Sequence, residues 1–272
     1  MSTARPTQRY LIALVAAAAA TFTAITWLHH PADAEAAVTL PPPAAGFDYQ
    51  IGGPYTPPDG VQVVSRDRTA PPAAGLYNVC YVNAFQVQPG ERDDWDDDLL
   101  LRDANGDLVI DEGWGEPLLD LRTEGQRQRI AAKVNGWIDG CADAEFQAVE
   151  PDNYDSYERS KSLLTPEQAK SYLKLLATHA HSRNLAIAQK NTLDLAGDRT
   201  EVGLDFAVAE ECGQYDECAG YAEAFGDHVL VVEYTDEGLA TACAGFRDRL
   251  SIVRRDVAVS TPGSGGYVRR TC

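Results

Sequence analysis

No Gly-x-Ser-x-Gly elbow occurs in the 272 residues, so nothing in the sequence supports a serine esterase. No Gly-x-Gly-x-x-Gly follows a strand either. Gly52-Gly53-Pro54 has the wrong spacing, which leaves a dinucleotide-binding open sheet without its phosphate loop. The six cysteines contain no Cys-x-x-Cys pair, which argues against zinc. Basic residues are scarce: 23 Lys and Arg stand against 41 Asp and Glu, for a formal net charge of −18. A surface of that sign repels nucleic acid and anionic lipid and attracts cations. Apart from one N-terminal run, no stretch approaches membrane-spanning length. The expectation is a protein with no nucleic-acid partner, no cofactor and no metal site.

The N-terminal run covers residues 10–28. Arg5 and Arg9 precede it, and Ala32-Asp33-Ala34 and Ala34-Glu35-Ala36 offer small residues at cleavage-site spacing. Residues 1–36 therefore read as a secretory signal, the Pro/Ala-rich 37–46 as a linker, and 47–272 as a single domain. The alternative is a retained N-terminal anchor. Cleavage leaves about 236 residues, secreted and off the membrane, which suffices for a substantial core. Six cysteines in a secreted chain suggest three disulfides. Cys212 and Cys218 are close enough to staple one loop, and Cys243 with Cys272 would tie down the tail.

Within the domain, short apolar runs alternate with helical patterns. The runs are 47–52, 61–67, 77–83, 146–153, 185–191, 206–211, 229–234 and 251–256. They are rich in β-branched and small residues and lack the helix period. Between them, 127–142 carries Ile130, Val134, Trp137 and Ile138 on one stripe. Thr165, Pro166 and Gln168 form a capping box that opens a helix to about residue 183, with Asn184 suited to the left-handed position after it. A last helix is expected over 239–250. Strand–helix alternation implies parallel strands joined by crossovers. Most of the runs end on polar or charged residues, which favours a (β/α)8 TIM barrel, whose sites gather at the carboxyl ends of the strands. An acidic insertion, 88–120, interrupts the pattern. Its Asp103-Ala104-Asn105-Gly106-Asp107 resembles the start of a calcium loop, but no acid occupies the twelfth position. Asn105-Gly106 between two apolar triplets reads better as a hairpin turn.

The segment Phe146-Gln147-Ala148-Val149-Glu150-Pro151-Asp152-Asn153 organises the rest. Side-chain alternation puts Ala148, Glu150 and Asp152 on one face of a strand, and Pro151 should end its ladder. The other strand ends supply Asp67, Lys190, Glu210, Glu211 and Glu233. Many carboxylates and few histidines suggest glycoside hydrolysis, in which one acid protonates the leaving oxygen and another carboxylate attacks or activates water.

Several motifs together resemble glycoside hydrolase family 114, the endo-α-1,4-polygalactosaminidase-like proteins, over about 47–256. They are Trp114-Gly115-Glu116 with Leu119-Asp120, Glu150-Pro151-Asp152-Asn153, Leu164-Thr165, the stretch from Ala180 to Leu185, Lys190-Asn191, Glu210-Glu211-Cys212 with Tyr215 and Glu217-Cys218, and Glu233-Tyr234. The resemblance implies a (β/α)8 barrel that cleaves α-1,4-linked galactosamine polymers. Its partner would be a cationic galactosamine-containing polysaccharide, to which an acidic cleft is complementary. Asp152, beside Lys190, is the expected nucleophile of a retaining mechanism, and Glu210 the expected general acid/base. Asp67, Trp114, Glu150, Asn153, Lys190, Asn191, Glu211, Tyr215, Glu233 and Tyr234 are expected to bind substrate. Glu233 is the main competitor for a catalytic role. Two readings from other classes remain: a non-catalytic polysaccharide-binding barrel, and a metal-dependent hydrolase with Asp67, Asp152 and Glu210 as ligands.

Overall fold

The computed structural model describes residues 1–2 and 38–272. The expected signal cleavage near Ala34 or Ala36 lies outside the described residues. All eight expected strands form: β1 (Phe47–Gln50), β2 (Val63–Asp67), β3 (Tyr77–Asn83), β4 (Ala148–Asp152), β5 (Ala186–Lys190), β6 (Phe206–Glu210), β7 (Val229–Glu233) and β8 (Ser251–Arg255). Each pairs in parallel with the next, in sequence order from β1 to β8. A short antiparallel strand, Arg269–Arg270, adds to β8.

The sheet curls into a (β/α)8 barrel. Phe47, Tyr49, Val63, Val79, Ala148, Ala188, Phe206, Val208, Val232 and Val253 share one buried cluster that draws on all eight strands. A cluster of that membership is possible only if alternate side chains point into a common lumen. Residues of opposite parity, such as Val149, Ile187, Ala207 and Val231, join the larger cluster between the strands and the helices. The seam between β8 and β1 carries no ladder. It is held by Ala44 N donating to Arg249 O (3.1 Å), Ala45 N donating to Ser251 Oγ (2.9 Å) and Arg269 Nη2 donating to Phe47 O (3.2 Å).

The outer layer holds α1 (Glu124–Asp143), α2 (Pro166–Ser182), the single turn α3 (Arg199–Val202), α4 (Cys218–Phe225) and α5 (Asp236–Phe246). The capping box opens α2 as read from the sequence, and Asn184 takes φ 59° beyond its end. The last helix begins at Asp236, three residues earlier than expected, because Thr235 caps it by accepting from Gly238 N at 3.0 Å. The short helix α4 was not foreseen. Among the described residues, no helix is long and apolar enough to cross a membrane.

In the insertion, Gly106 (φ 86°) makes the hairpin turn, and Val109 N pairs with Leu101 O at 2.9 Å. A second, two-stranded hairpin, Ile110–Asp111 with Glu116–Pro117, follows it. Three disulfides form. Cys212–Cys218 and Cys243–Cys272 pair as expected, and Cys80–Cys141 ties β3 to α1.

Candidate active site

Strand parity builds the site. On β4 the lumenal positions are Ala148, Glu150 and Asp152; on β5 they are Ala186, Ala188 and Lys190; on β6 they are Phe206, Val208 and Glu210. The apolar members fill the barrel, and each strand's last inward residue is charged. These charges meet at the carboxyl-end mouth.

Lys190 is the hub. Its ammonium lies 3.0 Å from Asp152 Oδ1, 3.2 Å from Glu210 Oε2 and 3.2 Å from Glu150 Oε1, with only 2 % of the side chain exposed. Asp152 Oδ1 and Glu210 Oε2 are therefore at most about 6 Å apart, bounded by their two contacts with the ammonium. Burial pulls the Lys190 ammonium down, but the surrounding carboxylates overcome this and hold it well above its ordinary value. Burial likewise pushes Asp152 up. Lys190 and the donors Tyr81 and Asn153 outweigh it and leave the carboxyl below its usual range. Tyr81 Oη donates to Asp152 Oδ2 at 2.6 Å, and Asn153 N donates to Oδ1 at 2.8 Å. Glu210 is held differently. Tyr234 donates to Oε1, Asn191 Nδ2 donates to Oε2 at 3.0 Å, and the Asn191 side-chain oxygen accepts from Glu210 N at 2.8 Å. Asn153 and Asn191 both adopt left-handed backbone, with φ 66° and 52°, a conformation asparagine tolerates better than most residues.

Beneath this pair, Glu150 is fully buried. It accepts from Tyr49 Oη at 2.7 Å and Ser65 Oγ at 2.6 Å, and desolvation raises its carboxyl. It forms the floor and does not line the cavity.

Above the mouth is a cavity of about 400 Å³ lined by Asp67, Tyr81, Trp114, Glu116, Asp152, Asn153, Lys190, Asn191, Glu210 and Tyr234. A second groove of about 870 Å³ shares Trp114, Asn191, Glu210 and Tyr234 with it and continues past Glu211, Tyr215, Asp194 and Glu217. Trp114 is 62 % exposed at the turn of the second hairpin, and Tyr215 is 65 % exposed. Arg159, clamped between Asp111 (2.7 Å) and Asp155 (2.7 Å), ties that hairpin to the loop after β4. Asp67 reaches the cavity, though its Oδ1 is engaged by Thr69 N at 2.9 Å.

Glu150, in the floor, and Glu233 are the two expected substrate-binding residues that do not line the cavity or the groove. Val229, Val231 and Glu233 form the outward face of β7, whereas Leu230, Val232 and Tyr234 point inward. Glu233 is buried in the helix layer, where Oε1 accepts from Gly213 N at 2.6 Å. Alternation along 229–234 places Tyr234, and not Glu233, at the mouth. Sequence reasoning missed Tyr49, Ser65 and Tyr81, all of lumenal parity, which was the available signal. It also missed Asn83, which bridges Glu116 (2.9 Å) and Asn153 (3.0 Å).

The model of glycoside hydrolase family GH114 matches residues 29–272. The chain belongs to glycoside hydrolase family 114. Its fold is similar to that of Ega3 from Aspergillus fumigatus, solved in complex with galactosamine. The two are 22 % identical, the match covers 86 % of this chain and 97 % of Ega3, and the TM-score is 0.70. The glycoside hydrolase domain of PelA from Pseudomonas aeruginosa is 13 % identical over 82 % of this chain and 98 % of that domain, with a TM-score of 0.54. No curated protein matches the chain. This family 114 member is thus a glycoside hydrolase.

Proposed function

We propose that this enzyme is a secreted hydrolase that cleaves α-1,4-linked galactosamine polymers with retention of anomeric configuration. The observation that carries the mechanism is the separation of Asp152 and Glu210. Asp152 Oδ1 and Glu210 Oε2 touch the same ammonium and lie at most about 6 Å apart, which favours the short separation of retaining enzymes over the roughly 6.5–9.5 Å that leaves room for a water in inverting ones. Asp152, kept ionised by Lys190, attacks the anomeric carbon. Glu210 protonates the departing oxygen and then, as a base, takes a proton from the water that hydrolyses the glycosyl ester.

The substrate reading rests on charge and on kinship. The groove beyond Glu210 is lined by Asp155, Glu158, Asp194, Glu211 and Glu217 and by no basic residue, which suits a polymer bearing ammonium groups. Trp114 and Tyr215 offer exposed ring faces for sugars. Ega3, a fold relative, is bound to galactosamine. Three disulfides agree with an oxidising, extracellular location, and residues 1–36 supply the proposed signal. The test is to incubate the enzyme with deacetylated galactosamine oligomers and follow products by mass spectrometry and the new anomeric centre by NMR. Shorter oligomers with initial α configuration are expected. No cleavage removes the substrate reading, and initial β product removes the assignment of Asp152 as nucleophile.

A further inference from the structure

The Lys190 ammonium has three protons and four oxygen neighbours: Glu150 Oε1 (3.2 Å), Asp152 Oδ1 (3.0 Å), Glu210 Oε2 (3.2 Å) and Tyr49 Oη (3.1 Å). It has no proton to spare for a sugar hydroxyl, so the substrate-binding role expected from the sequence does not describe it. Two of the four neighbours are fixed. Glu150 is locked by Tyr49 and Ser65 under the mouth, so the ammonium is anchored from below and faces the two reacting carboxylates at nearly equal distance. We propose that Lys190 is the shared counter-ion of the reaction cycle, neutralising Asp152 before glycosylation and Glu210 after it. This rests on the retaining reading above.

The charge balance explains why one cation suffices. Before reaction Asp152 carries −1, Glu210 holds a proton and Lys190 carries +1. Attack forms the Asp152–carbon bond and breaks the glycosidic bond, and the leaving oxygen takes the Glu210 proton. Asp152 is now a neutral ester and Glu210 carries −1. Water then gives a proton to Glu210 and its oxygen to the anomeric carbon, and the ester bond returns its electron pair to Asp152. The net charge around Lys190 is the same at each stage, so the negative charge migrates between two oxygens that the ammonium already touches. No side chain has to move to follow it, and a buried site gains most from such preorganisation. Lys190 acts through the two carboxylates and is a positioning residue.

The test compares Lys190→Met, Lys190→Arg and the Lys190→Met/Glu150→Gln double variant, which leaves no uncompensated charge on the floor. The charged and titratable groups facing Lys190 are Glu150, Asp152, Glu210, Tyr49, Tyr81 and Tyr234. Removing the cation disfavours the ionised form of both reacting carboxylates. Both limbs of the kcat/KM profile on galactosamine oligomers should therefore move to higher pH, by one unit or more in Lys190→Met and by less in the double variant, where loss of the Glu150 charge offsets part of the effect. In Lys190→Arg both limbs should stay in place at a lower rate. Carbon-13 titration of the Asp and Glu carboxyls reads the same shift without substrate, so an enzyme that fails to cleave galactosamine would overturn the substrate reading alone. A profile that falls in height without moving in Lys190→Met, or carboxyl titrations unchanged in both methionine variants, would overturn the proposal.

Discussion

The barrel contains two buried clusters of charge, and they are built in opposite ways. The lumenal cluster gathers three carboxylates, Glu150, Asp152 and Glu210, around one lysine. The seam cluster places one carboxylate, Asp48, near Arg255 (3.7 Å) and Arg269 (3.1 Å), and Gln50 links it to Arg66. At the seam the guanidiniums are also bound to backbone: Arg255 to Val268 O and Ser260 O, and Arg66 to Pro71 O and Tyr55 O. Arginine keeps its charge and holds several carbonyls at once, which suits a junction that lacks a β-ladder. In the lumen the partners are tyrosine hydroxyls and an ammonium, which hold their own protons firmly beside an open cavity while the carboxylates they touch exchange theirs. One cluster fastens the barrel and the other is arranged to change its protonation.

Mutation should separate the two. Asp152→Asn and Glu210→Gln should each lower kcat on galactosamine oligomers by about 10³-fold or more, and Glu210→Gln should leave the urea unfolding midpoint close to that of the parent. Asp48→Asn should do the reverse. It leaves buried guanidiniums without their counter-charge, a class of change that costs about 3–5 kcal/mol, while turnover per folded molecule stays within about threefold. Equal loss of activity in Asp48→Asn would mean that the seam is coupled to the mouth.

The disulfides sharpen the contrast at the next level. Cys243–Cys272 closes 29 residues and anchors the tail that delivers Arg269 to Asp48, so replacing both cysteines by alanine should cost about 3–4 kcal/mol and little turnover. Cys212–Cys218 closes only 6 residues and should cost about 2 kcal/mol. Its loop follows Glu210 and Glu211 directly, so its loss should raise KM for the oligomer more than that of the tail disulfide does. Chemical denaturation and steady-state kinetics on the two double-alanine variants check both.

The pH response belongs to the lumenal cluster. Burial pushes Asp152 up, but Lys190 and its hydrogen-bond donors hold it below its ordinary value. A carboxyl depressed on folding contributes stability that is fully present above its unfolded pKa, about 3.9, and is lost as pH falls through the folded value. The stability difference between parent and Asp152→Asn should thus be flat above about pH 4 and shift against the parent below it. A difference that begins to change near pH 6 would mean that Lys190 does not govern Asp152.

Much of this contrast was legible in the sequence on the lumenal side. Alternation on a strand that ends Ala148, Glu150, Asp152 pointed to the candidate site, and apolar strands with polar ends indicated the barrel. The seam was invisible because Asp48, Arg66, Arg255 and Arg269 lie far apart along the chain and share no motif. The two tyrosines that hold Asp152 and Glu210 fared unequally. Tyr234 adjoined a recognised strand end, whereas Tyr81, in mid-strand, resembled core. Helix α4 is too short, and starts on a disulfide cysteine, for periodicity to reveal it.

Glu233 tests the parity on which the site assignment depends. It ends β7 as Glu210 ends β6, but one residue of register puts it behind the barrel wall. Its Oε1 accepts from Gly213 N, its Oε2 has no hydrogen-bond partner, and burial raises its carboxyl. Gly238 packs so closely on it that a Cβ there would lie 2.1 Å from Oε2. Glu233→Gln keeps the acceptor for Gly213 and removes a charge that burial disfavours. A carboxyl raised on folding contributes stability below its unfolded pKa, about 4.3, that is lost as pH rises through the folded value. The glutamine variant should therefore match the parent at low pH and become the more stable of the two as pH rises to neutrality, by no more than about 1 kcal/mol. Its kcat should stay within about threefold of the parent, against the 10³-fold loss expected for Glu210→Gln. Losses of similar size in the two glutamine variants would put Glu233 in the reaction and the lumenal parity of β7 in error.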